Sequence, residues 1–262
     1  MNRNIVKVET EVLLLDIRGY SRKPDEKQLL IVETLTDRLR RMTGLLGSLG
    51  SIHVKDLRED DLVIGYIPTG DGAYVILNPL YGGYGILLAT AIRNDLVLFN
   101  KKLEGALYEG IRVAVHLGPC IPFLDITGRV NFVGRALNDC ARISNADEMD
   151  PSFPRGFTDG DYVVASADAI ACFDEAFYSK TTPEYRNILA VRRSSTFTIR
   201  DKHENEHSVQ LIEMNRHVAI QPFNPAVSLS EGERQFMREI AGNRLPSPPR
   251  LDCTETDRSG SP

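Results

Sequence analysis

The sequence predicts an α+β fold built on a ferredoxin-like βαββαβ core with additional C-terminal strands and helices. Three observations point there: an apolar run at Glu11–Ile17, two stretches of helical apolar spacing on either side of a Gly-rich turn, and a further apolar strand at Ile111–Leu117. Glu11–Ile17 ends in an acid and is followed by Arg18-Gly19-Tyr20-Ser21, so it reads as a buried strand with a carboxylate at its mouth. Leu29, Leu30, Val32, Leu35, Leu39, Met42 and Leu46 recur at helical spacing, which predicts an amphipathic helix stopped near Gly44–Gly50.

His53–Leu57 and Leu62–Tyr66 read as a strand and the approach to a second. Pro68-Thr69-Gly70-Asp71-Gly72 is turn chemistry and Ala73–Leu77 is again β-prone, which makes a hairpin. Ile86–Leu103 carries a second helical pattern, and Gly134–Ser144 has helical character. The order β-α-β-β-α-β places the helices on one face of an antiparallel sheet. Phe157–Ala165, Ser166–Ala176, Phe197–Arg200 and Ser208–Ile212 extend it. Beyond Pro222 the composition changes; Glu231–Ile240 reads as a short helix, and Pro246–Pro262 has four Pro in 17 residues and little to bury. The division is a folded domain over residues 1–221 and an extension over 222–262 whose last part is expected to be disordered.

The chain of 262 residues carries 31 Lys and Arg against 36 Asp and Glu, a formal charge of −5. That balance, without a dense basic block, argues against nucleic acid as a partner. No apolar run is long enough for a signal-peptide core or a membrane span, so a cytoplasmic protein without a membrane partner is expected. Cys120, Cys140, Cys172 and Cys253 are scattered, which reads as reduced thiols, and the five His are dispersed and read as structural.

Asp16, at the end of the first strand, and Asp71, in the Gly-flanked turn, fall on neighbouring strands of such a sheet. Paired hard oxygen ligands there suit Mg²⁺ or Mn²⁺ carrying a polyphosphate. The backbone N–H groups of Gly19, Tyr20 and Ser21 can cradle phosphates at the start of the following helix. Asn138 and Arg142 lie four residues apart on one helix face, an amide and a guanidinium able to grip a ribose and a developing phosphate charge.

These residues carry a resemblance to the class III nucleotidyl cyclases. Asp16-Ile17-Arg18-Gly19-Tyr20-Ser21 resembles that family's Asp-Ile-x-Gly-Phe-Thr, and Gly70-Asp71-Gly72 its hairpin turn. Arg112 to Gly118 resembles its Arg-x-Gly-x-His-x-Gly strand, and Gly134 to Ile143 its Asn/Arg helix. The likeness covers roughly residues 10–145; residues 146–215 fit only loosely. It implies attack of a nucleoside triphosphate's 3′-hydroxyl on its own α-phosphate, giving a 3′,5′-cyclic nucleotide and pyrophosphate. Asp16, Asp71 and the Ile17 carbonyl would hold two divalent metal ions, Mn²⁺ or Mg²⁺. Asn138 would orient the ribose and Arg142 would stabilise charge on the α-phosphate. Arg129 and, more weakly, Lys202 are candidate triphosphate contacts. The resemblance also implies a homodimer with shared active sites, because each site takes its metal ligands from one domain and its Asn/Arg pair from the other.

The base-reading positions, Ile67 and Asn131, match neither the adenylate nor the guanylate pattern. An Asn amide can both donate and accept, so Asn131 fits uracil or cytosine and also a purine. The chain looks like the stand-alone bacterial pyrimidine cyclases of Pycsar anti-phage systems. That likeness implies a pyrimidine cyclase making cyclic UMP or cyclic CMP, uridine slightly before cytidine, with the product read by a separate effector. Two alternatives stay open: an adenylate cyclase with a divergent base pocket, and a cyclase-like nucleotide-binding regulator without turnover.

Overall fold

The computed structural model describes residues 5–51, 54–103, 105–149, 153–154, 161–178, 191–201, 203–214 and 227–245. Strand β1 (Val8–Arg18) leads through a 3-10 turn at Tyr20–Arg22 into helix α1 (Asp25–Ser51), followed by a short β2 (Val54–Lys55). The hairpin is β3 (Val63–Pro68) and β4 (Gly72–Leu77), and α2 (Tyr84–Lys102) leads to a long β5 (Gly110–Leu124). Then come β6 (Val130–Val133), α3 (Arg135–Ser144), α4 (Ala146–Met149), β7 (Tyr162–Ser166) and α5 (Ala167–Phe173). The described chain closes with β8 (Val191–Arg193), β9 (Phe197–Arg200), β10 (Glu206–Met214), β11 (Val227–Ser228) and α6 (Glu231–Ala241).

The main sheet runs β3-β4-β1-β5-β7-β10-β8, with β6 on β5 and β9 on β10. The first four positions, all antiparallel, are the expected ferredoxin-like core. Beyond them β7 joins parallel to β5, so the sheet is mixed. Side-chain alternation along β1 divides the interior in two. Leu13, Leu15 and Ile17 face α1 and α2, while Val12 and Leu14 face α3 through Ala136, Cys140 and Ile143. The helices therefore do not all lie on one face, because α3 has its own apolar stripe and covers the other.

Three further expectations need correction, while the first helix ends at Ser51, one residue past the expected Gly44–Gly50 stretch. Buried Leu46 keeps that last stretch on the core, outweighing the roughly 1 kcal/mol that each interior glycine costs. Its buried stripe is Ile31, Leu35, Leu39 and Leu46, whereas Leu29, Leu30 and Val32 point outward. Over His53–Leu57 only Val54 and Lys55 form a strand, which pairs with β11 and is ended by Asp56 at φ 73°; His53 lies outside the described residues. The strand expected over Phe157–Ala165 begins at Tyr162, and residues 155–160 lie outside the description.

The extension contributes β11 and α6. Ser230 caps α6 in a capping box with Glu233. Met237 meets Asn78, Phe236 and Ile240 pack on the α3-side core, and Asn243 accepts from the Val130 N–H at 3.3 Å. Pro246–Pro262 and the 221/222 boundary lie outside the described residues. Cys120, Cys140 and Cys172 are free thiols, and Cys253 is not described. No helix among the described residues is long and apolar enough to cross a membrane.

Candidate active site

Asp16 pairs in register with Gly72 on one side and Arg112 on the other, and it shares the α3-facing parity of Leu14. The hairpin comes so close that a Cβ on Gly72 would stand 1.9 Å from the Leu15 carbonyl oxygen. Only glycine fits there, and Gly70 supplies the positive φ (92°) that turns the chain. The Ile17 N–H then donates to the Asp71 carbonyl at 2.9 Å, which fixes Asp71 beside the mouth of β1.

The two carboxylates brought together in this way repel each other. Burial pushes the Asp16 carboxyl up, Arg112 counteracts it, and the charge of Asp71 adds to the rise. Arg112 closes on Asp16 through Nε at 2.7 Å and Nη2 at 2.6 Å. It also reaches Glu148 at 2.7 Å and Asp147 at 3.4 Å on α4, and Asp147 binds Arg18 at 3.1 Å. Arg112, Asp147 and Glu148 are site residues that sequence reasoning did not assign. Arg112 lay within a quoted motif; the α4 acids carry no local signal.

This donor set fits a divalent cation. Two adjoining carboxylates and the Ile17 carbonyl position are hard oxygen ligands, and Mg²⁺ characteristically takes one or two carboxylates plus substrate phosphates. Among the described residues no cluster of three His, Cys, Asp or Glu offers a complete protein cage.

Gly19 adopts φ 75° against the Glu109 side chain, and the 3-10 turn follows. The N–H groups of Gly19, Tyr20 and Ser21 have no acceptor among the described residues. These three residues lie at this turn, before α1 begins at Asp25, rather than on the helix itself. The Tyr20 ring packs on the α1/α2-side core and Ser21 is exposed.

Helix α3 starts at Gly134, whose φ of 142° and approach to the Pro119 carbonyl exclude a side chain. Its buried face presents Ala136, Cys140 and Ile143 to the sheet, leaving Asn138 exposed and Arg142 half-buried. Arg142 donates through Nη1 to Asp139 at 2.6 Å and through Nε to Asp201 at 2.9 Å. Asp139 also meets Arg135 at 3.0 Å and His116 at 3.9 Å. Burial lowers the His116 pKa, against the pull of Asp139.

Asn138 and Arg142 are not brought to Asp16 and Asp71 by any hydrogen bond or ion pair among the described residues. The two groups hang from β5 at His116 and Arg112, four residues apart and so roughly 13 Å along the strand. Ile67 on β3 is half-buried on the α3 side; Asn131 on β6 is half-buried, and its Oδ1 accepts from the Phe132 N–H at 2.8 Å. Arg129 is exposed in the turn between β5 and β6 and makes no ion pair among the described residues. Lys202 lies outside the description.

Three solved structures share this architecture. The guanylyl cyclase Cya2 superposes with a TM-score of 0.54 at 11% identity, over 84% of this chain and 100% of its own. For the adenylyl cyclase CyaB from P. aeruginosa the values are 0.52, 13%, 83% and 100%. The fold is that of the class III cyclase catalytic domain. A bacterial light-regulated adenylyl cyclase matches the same cyclase fold at 0.50 and 14%, over 82% of this chain and 93% of its own. No sequence profile of a known family matches the chain, and no curated protein matches it in sequence.

Proposed function

We propose that this chain is a nucleotide cyclase that converts a nucleoside triphosphate to a 3′,5′-cyclic nucleotide and pyrophosphate. The observation that carries the reading is the Asp16–Asp71 pair, placed by a glycine that only close strand contact requires, on the fold of known cyclases. Asp16, Asp71 and the Ile17 carbonyl would hold two divalent ions, Mn²⁺ or Mg²⁺, which lower the pKa of the attacking hydroxyl and neutralise the leaving phosphates. The free N–H groups of Gly19, Tyr20 and Ser21 receive phosphate oxygens, and Arg112 adds a guanidinium beside them. Asn138 orients the ribose. Arg142 meets the charge that develops on the α-phosphate.

The separation of the two half-sites within one chain supports a head-to-tail homodimer in which Asn138 and Arg142 of one subunit face Asp16 and Asp71 of the other. Exposed Leu124, Ile126 and Val133 on the β5–β6 hairpin give that pairing an apolar surface to cover. The base is a pyrimidine in this reading, uridine before cytidine. Ile67 offers no hydrogen bond, and Asn131, with its Oδ1 taken by the Phe132 N–H, presents N–H donors to an acceptor on the base. The product would serve as a second messenger in anti-phage defence, read by a separate effector in the cytoplasm.

Purified protein incubated with Mn²⁺ and each of the four triphosphates tests this. Cyclic UMP is the expected main product. Exclusive cyclic AMP or cyclic GMP overturns the base assignment, and no cyclic product from any triphosphate overturns the activity.

A further inference from the structure

Asp201 lies in the turn between β9 and β10, outside every motif that carries the cyclase resemblance, and its side chain is fully buried. Its two oxygens are engaged differently. Oδ1 accepts from the backbone N–H of His203 at 2.7 Å and of Asn205 at 3.0 Å, and from Asn205 Nδ2 at 3.3 Å. Oδ2 takes Arg142 Nε at 2.9 Å and Asn205 Nδ2 at 3.1 Å, with His207 Nε2 at 3.5 Å. One oxygen therefore closes the turn while the other holds a residue 59 positions earlier in the chain.

The plain explanation is a turn cap: Asp in a tight hairpin commonly satisfies the backbone two residues on. That accounts for Oδ1 and leaves Oδ2 unexplained. Burying a carboxylate costs several kcal/mol unless charge and hydrogen bonds compensate it. Here burial works against the charge, yet Asn205, His203 and His207 hold the Asp201 carboxyl well below the usual carboxylate range. A permanent anion is thus fixed behind the guanidinium. With Asp139 on Nη1 and Asp201 on Nε, Arg142 keeps one orientation before any substrate arrives.

We propose that Asp201 is a positioning residue that orients Arg142 for catalysis. It acts from the Nε side and leaves Nη2 for the phosphate. A bidentate grip from two rigid elements, α3 and the β9–β10 turn, removes the rotamer freedom that a long side chain otherwise loses on binding. The inference rests on the reading of Arg142 as the residue that meets the α-phosphate charge.

Asp201→Asn separates the two roles. Three donors anchor an oxygen on the turn side, so the amide nitrogen falls opposite Arg142 Nε, where it cannot accept. Cyclisation of the preferred triphosphate with Mn²⁺ is compared for wild type, Asp201→Asn, Asp201→Ala and both changes in an Arg142→Ala background. Asp201→Asn should lower kcat roughly 10- to 100-fold, the range for residues that orient a functional side chain from behind, with KM close to wild type. In the Arg142→Ala background the same change should add no further loss. Asp201→Asn at wild-type kcat, with loss confined to Asp201→Ala, would leave only the turn cap and overturn the proposal. An equal additional loss without Arg142, or a rise in KM alone, would also overturn it. A wild-type chain that makes no cyclic nucleotide removes the activity itself, a different failure, and takes this inference with it.

Discussion

Arg112 reaches from β5 and sets both Nε and Nη2 on the same Asp16 oxygen, at 2.7 and 2.6 Å. A carboxylate next to a second one needs a counter-charge, and the guanidinium supplies it. Removing it leaves Asp16 and Asp71 facing each other. In the presence of EDTA, Arg112→Ala is expected to lower stability by about 2 kcal/mol, less than for a fully buried pair because both side chains keep some solvent contact. Millimolar Mn²⁺ should restore most of that loss. Melting curves with and without EDTA check it, and equal losses in both conditions would separate Arg112 from the cation site.

Gly72→Ala tests the placement of the hairpin. The new methyl group would lie 1.9 Å from the Leu15 carbonyl oxygen, so β4 must move away from β1 and carry Asp71 with it. Stability should fall by about 1–3 kcal/mol and cyclisation by more than that loss accounts for. Gly44→Ala, at an open helical position, is the control and should leave activity unchanged.

Much of this was legible in the sequence for a physical reason. The βαββαβ order follows from period-2 and period-3.6 apolar patterning, and the Gly-Asp-Gly turn and the Asn138–Arg142 spacing are local features. The pairings that complete the site are not local. Arg112 meets Asp16 across 96 residues, and Asp201 meets Arg142 from a hairpin whose own sequence signals only a turn. The face taken by α3 was also hidden, since an amphipathic helix announces a buried side but not which side of the sheet receives it.

Glu11 gives stability a pH dependence. Its Oε2 accepts from the Gly83 and Gly85 N–H groups at the start of α2, its Oε1 is buried without a partner among the described residues, and burial pushes its pKa from 4.5 to about 7. An acid raised in the folded state favours the protonated form. Its stabilisation is complete below pH 4.5 and is lost as pH rises through 7. Glu11→Gln, neutral throughout, should therefore gain on wild type across that interval, by roughly 3 kcal/mol at most. Urea midpoints at pH 4.5 and pH 8 measure the difference, and parallel profiles would place the Glu11 pKa in the ordinary range.

Mixing tests the shared site. Asp16→Ala and Arg142→Ala should each lower cyclisation by about 10²–10³-fold. Combined, they should regain activity approaching one intact site per mixed dimer, rising with protein concentration. No rescue at any ratio would mean that each chain works alone.

The central claim is that Asp16 and Asp71 support cyclisation of a nucleoside triphosphate. The most direct measurement is mass-spectrometric identification of the products formed with Mn²⁺ by wild type and by Asp71→Ala. A 3′,5′-cyclic nucleotide with equimolar pyrophosphate from wild type, and at least about 100-fold less from the variant, is the predicted result. A nucleoside diphosphate and inorganic phosphate as the only products, or equal cyclisation by both proteins, would contradict it.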